Sequence, residues 1–138
     1  MHAESRRQIT VEWWSKQSSS YQLFASPLVV NEASAGDSSA AEKRLSALKD
    51  IPLLEISKSS IELAQLLIKS KAVPIEAQED ALHIAIAAMY SIDYLLTWNC
   101  RHIDNAVRKP LIRQLCAEFG YPCAEICTPE ELIEAEHD

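Results

Sequence analysis

Asp80 stands at the start of an otherwise apolar helical face, with Ile84 and Ala87 following at four- and seven-residue spacing. A carboxylate there must be paired, solvated or bound to a metal, because burying an unpaired charge is costly. The plainer alternative is a first-turn acid stabilised by the helix dipole, a role it would share with Glu76 and Glu79. Glu32 lies in a second helical segment, three residues after Val29, and follows an apolar run rather than a solvated stripe. A surface glutamate is its default reading. His83, three residues after Asp80, falls beside it as a paired core histidine or as a substrate contact. Asn99 comes just past the apolar run Tyr94 to Trp98, where open α/β sheets bind ligands. Thr97 and Asn99 equally suit the bonding of a turn backbone.

Other chemistries are less well supplied. Cys100, Cys116, Cys123 and Cys127 lack the paired spacing of a zinc module, and Cys123 with Cys127 suits packing better than ligation. Only Gly36 and Gly120 are present, so no glycine-rich phosphate loop can be built, which weakens a small-molecule-binding α/β domain as a reading. His102 and Cys100 flank Arg101 with no metal-like partner nearby in sequence.

The elements that must position these side chains follow from periodicity. Ile9, Trp13 and Trp14 predict a helix over about Glu4 to Lys16, and Tyr21 to Ala25 alternates as a short strand. Ser26-Pro27 starts a helix through Glu32 that stops at Ala35-Gly36-Asp37, and Ser38 or Ser39 caps the next, through Leu48. Pro52 to Ile56 reads as a second strand, and Ser59 or Ser60 as the cap of a helix ending near Lys69 to Lys71. The alanines and isoleucines between Ile75 and Tyr90 predict a long helix packed closely on two sides. Tyr94 to Trp98 is a compact strand, a helix through Leu111, Ile112 and Leu115 ends at Gly120, and Ala124 to Cys127 forms a last strand. Thr128-Pro129-Glu130-Glu131 is a capping box opening a final short helix. Strands separated by helices of this length imply a parallel sheet covered on both faces.

One domain is the natural expectation for 138 residues, of which 48% are apolar and 24% charged. No apolar run approaches the ~20 residues that cross a bilayer, and no secretory signal opens the chain, so no membrane partner and a cytoplasmic location are expected. The net charge of −7 opposes diffuse attraction to a phosphate backbone. A site holding divalent cations over carboxylates would neutralise part of that charge locally, so nucleic acid is not excluded.

Two blocks together carry a family resemblance. Glu79-Asp80-Ala81-Leu82-His83-Ile84-Ala85, followed by Asp93-Tyr94-Leu95-Leu96-Thr97-Trp98-Asn99, resembles the latter half of a PIN domain. Val29-Val30-Asn31-Glu32-Ala33-Ser34 is similar to that family's earlier helix motif, and Ile126 to Leu132 to the ending of its VapC-type toxin members. The resemblance covers nearly the whole chain. It implies a three-layer α/β/α fold with a parallel sheet and divalent-metal-dependent cleavage of RNA by an endoribonuclease of the toxin-antitoxin type. By matching position, Glu32 and Asp80 are the Mg²⁺ (or Mn²⁺) ligands and, with Asn99, the catalytic set; Asn99 falls where many members carry another acid, and Thr97 supports that turn. Such cations take oxygen ligands, and water bound to them attacks a phosphodiester more readily.

The chain departs from that pattern at its front. The family opens on an apolar strand ending in a metal-binding aspartate, and nothing before Glu4 can be that strand; Glu4 itself has no apolar run ahead of it. The resemblance places the missing first strand centrally, between Tyr21 and Tyr94, which would leave two rows of backbone donors and acceptors uncovered. A start lying upstream, a fragment of a longer chain and a degraded relative each account for this, the first being favoured. A chain that truly begins here is expected to show little nuclease activity, and either poor stability or a strand borrowed from a partner. The alternative to an enzyme is an interaction module that binds a small antitoxin-like protein or dimerises, with Trp13, Trp14 and Trp98 available as apolar interface or core.

Overall fold

A computed structural model describes residues 14, 20–97 and 106–132 of the chain. Those residues form a mixed α/β structure that is mainly helical. Its helices are α1 (Pro27–Ala33), α2 (Ser38–Leu48), α3 (Lys58–Lys69), α4 (Gln78–Met89) and α5 (Arg108–Phe119). Its strands β1 (Tyr94–Leu96) and β2 (Glu125–Cys127) pair in parallel, Leu95 in register with Ile126. The α5 crossover between them is the connection parallel pairing requires.

Each helix start has a local cause. Pro27 enters the first turn of α1, and Ser26 Oγ accepts from Val29 N at 3.4 Å. Asp37 Oδ2 accepts from Ala40 N at 3.0 Å to open α2. At α3 the cap is Ser57, not Ser59 or Ser60. Ser60 N donates to Ser57 Oγ and Ser57 N donates to Ser60 Oγ, so the reciprocal box fixes the helix start one turn before its first buried leucine. The run beginning at Ile75 starts with a single 3₁₀ turn, Ile75–Ala77, before α4 proper. The capping box at Thr128 is formed, with Glu131 N donating to Thr128 Oγ1 and Thr128 N donating to Glu131 Oε1.

The core lies where α3, α4 and α5 meet β2. Leu63 and Leu67 of α3, Ile84 of α4, Ile112 and Cys116 of α5 and Ile126 of β2 are buried together. On α3 the buried positions Ser60, Leu63, Ala64 and Leu67 follow the one-face spacing of an amphipathic helix. Ala81, Ala85 and Ala88 let α4 lie close against α3, while Ile86 and Ala87 are buried on its other side. The helix is thus buried on two sides, as expected, but only the side toward α3 belongs to the main core, and the other borders a cavity.

Two expected strands are much reduced. Tyr21 to Ala25 and Pro52 to Ile56 meet in one parallel bridge, Ala25 with Leu53, in which Ala25 N donates to Pro52 O and Leu54 N to Ala25 O. Proline explains the brevity: Pro52 has no N–H to extend the ladder on one side, and Pro27 turns the chain into α1 on the other. The helix expected over Glu4 to Lys16 lies outside the described residues, apart from Trp14, which is helical.

Candidate functional site

Glu32 is carried on the last turn of α1, and α2 holds that turn in place. Arg44 donates from Nε to Ala33 O at 3.0 Å and from Nη2 to Ala35 O at 2.6 Å. A guanidinium thus meets carbonyls that the helix end leaves unbonded, at its negative pole. No motif in the sequence singled Arg44 out; its pairing depends on how α1 and α2 fold back on each other.

So anchored, Glu32 reaches across to α4. Its Oε1 lies 2.6 Å from His83 Nε2, a contact 51 residues apart in sequence. With the carboxylate ionised it can only accept, and the hydrogen bond is then donated by Nε2. His83 is the more enclosed partner, its side chain 15% exposed against 53% for Glu32. Glu32 is at the surface, as its default reading has it, but it is paired, and His83 takes its carboxylate partner from α1.

Asp80 is half-buried in the first turn of α4, one turn before His83 on the same side. No side chain caps this helix start, so Glu79 and Asp80 both meet its positive end. Glu32 therefore contacts the helix that carries Asp80. Among the described residues no three His, Cys, Asp or Glu side chains converge as a metal-binding group. Asn99 lies outside the described residues; Thr97, half-buried at the end of β1, donates its backbone N–H to Cys127 O at 2.9 Å.

His83 also lines a cavity of about 670 Å³ that periodicity could not anticipate. It is lined by residues 21–26, by β1, by Ile86 and Ala87 of α4, and by Tyr90 just after that helix. The rings of Tyr21 and Tyr94 meet edge to face across it, their centroids 6.1 Å apart. Tyr90 ties the neighbouring segment to α4, its hydroxyl accepting from Glu55 N at 3.1 Å.

No family model, curated protein or solved structure matches the chain. Fold and site alone define its class: a mixed α/β protein with a carboxylate–imidazole pair at the edge of a largely apolar cavity. Among the described residues no helix is long and apolar enough to cross a membrane.

Proposed function

We propose that the chain is a divalent-metal-dependent endoribonuclease domain of the PIN type, similar to the VapC toxins, with a three-layer α/β/α fold and low activity where Asn99 replaces an acid. One observation carries the reading: Glu32, remote in sequence, is held by His83 against the helix that bears Asp80, one turn away. A carboxylate borne by α4 and a second one from α1 held against that helix, completed by waters and a substrate phosphate, suit Mg²⁺ or Mn²⁺. When bound, such an ion polarises the phosphodiester and acidifies an attacking water. The chain's own residues supply the negative field, and His83 fixes one oxygen of Glu32 while leaving the other available. Asn99, by position, adds a neutral oxygen in place of a charge, which weakens cation binding. RNA is the substrate of this reading and a small antitoxin protein its regulator.

Calorimetric titration with Mn²⁺ tests the assignment without relying on activity. Weak binding is expected, abolished by Asp80→Asn and by Glu32→Gln. It should weaken on the order of 10–100-fold in His83→Ala, because that imidazole orients a ligand. Slow Mg²⁺-dependent RNA cleavage should disappear with Asp80→Asn. Binding heats unchanged by both carboxylate substitutions would remove the site. A non-catalytic interaction module is the second reading, favoured by the cavity.

A further inference from the structure

We infer that the cavity between β1 and residues 21–26 is a slot for one extended segment of a partner polypeptide, apolar and flanked by a basic residue. The inference rests on the reading above, whose family pattern leaves a strand position open between Tyr21 and Tyr94, and its test reads backbone protection rather than metal binding or RNA cleavage.

Hydrogen-bond directions make the case. Glu125 N donates to Asp93 O and Thr97 N to Cys127 O, and Leu95 is in register with Ile126. Along β1 the peptide groups of alternate residues point to opposite sides, so those of Asp93, Leu95 and Thr97 serve β2. The N–H and C=O of Tyr94 and Leu96 therefore face the other edge, toward the cavity, where no backbone partner meets them among the described residues. The opposite wall repeats the pattern. Both peptide groups of Ala25 are spent on the Pro52 to Leu54 segment, which turns those of Phe24 the other way. Two half-finished strand edges thus line one cavity.

The dimensions fit. A strand occupies ~4.8 Å across a sheet, ~10 Å through it and ~3.3 Å per residue along it, so about 670 Å³ corresponds to roughly four residues. Ile86, Ala87, Ile92 and Leu132 offer apolar contact, so the occupant needs β-branched or aliphatic side chains. At the mouth, Asp93 is exposed and no cation pairs with its carboxylate among the described residues. With a net charge of −7, the chain favours a lysine or arginine beside the incoming strand. A second copy of the chain is a poorer donor, because a net charge of −7 on each copy opposes self-association and its described strands β1 and β2 already pair with each other. Addition of a strand to an open sheet edge is an established mode of peptide recognition.

The test is amide hydrogen exchange on the full chain, with and without a synthetic peptide of valine and isoleucine preceded by two lysines. Exchange at Phe24, Tyr94 and Leu96 should slow about tenfold or more on saturation. A peptide with the same side chains and an N-methylated backbone should not protect them, and Asp93→Asn should weaken binding of the parent peptide several-fold. Equal binding of both peptides would reduce the cavity to an apolar surface and overturn the proposal. So would protection of these amides before any peptide is added, or a chain dimer that the peptide fails to dissociate.

Discussion

Cys123 is a residue whose chemistry the fold changes without any motif to announce it. Its thiol is held below the ordinary range, first by a hydrogen bond from Cys116 and then by the nearby Arg113 guanidinium, against the opposing effect of burial. The same bond, and burial, push Cys116 far upward. As the sequence suggested, Cys123 and Cys127 serve packing, Cys123 against the main core and Cys127 in the smaller cluster beside Leu132. A depressed thiol ionises at lower pH, so alkylation by iodoacetamide should occur at Cys123 before Cys116, with a midpoint below the ordinary value of 9.0. Cys116→Ala removes the donor and should move that midpoint upward. Peptide mass analysis across a pH series decides, and preferential labelling of Cys116 would contradict the assignment. Glu32 teaches the same lesson: its spacing disclosed an acid on a helix, and only the approach of α1 to α4 disclosed its imidazole partner.

Helices α3, α4 and α5 all stop in the same way, although only one ends in glycine. Ala72 N donates to Leu67 O, Ile92 N to Ala87 O and Tyr121 N to Cys116 O, closing a Schellman motif each time. The left-handed position is filled by Lys71 (φ 62°), Ser91 (φ 53°) and Gly120 (φ 105°) respectively. Gly120 was legible as a stop because glycine adopts this conformation without a Cβ clash. Lys71 and Ser91 were not, since nothing in their side chains favours it and the surrounding packing imposes it. Gly120→Ala should therefore destabilise by about 1–2 kcal/mol, whereas Lys71→Gly and Ser91→Gly should each stabilise by up to ~1 kcal/mol. Denaturant midpoints at constant slope measure all three. A stabilising Gly120→Ala would mean that strain at this turn has been misjudged.

Across the molecule, stability is concentrated in the α3–α4–α5 core. Leu67 is fully buried there, while Leu53 is 53% exposed beside its lone bridge. Leu67→Ala should cost about 2–5 kcal/mol, through lost transfer energy and the void it leaves. Leu53→Ala should stay within about 0.5 kcal/mol, as for other exposed sites. Comparable losses at both positions would show that the bridged segments share the core's cooperativity. Distributed in this way, the packing leaves a cavity between residues 21–26 and β1 among the described residues, while the helical half carries His83 and Asp80.

The sequence by itself determined the five described helices, the order in which they alternate with extended segments, and Asp80 as an acid opening an apolar face. These depend on caps, prolines and side-chain periodicity, all acting within a turn or two of chain. The tertiary structure alone decided that Glu32 meets His83, that Arg44 secures the end of α1, and which side chains line the cavity between residues 21–26 and β1. Contacts between distant segments depend on how whole elements pack, and neither propensity nor spacing encodes which edge of a strand is left without a neighbour.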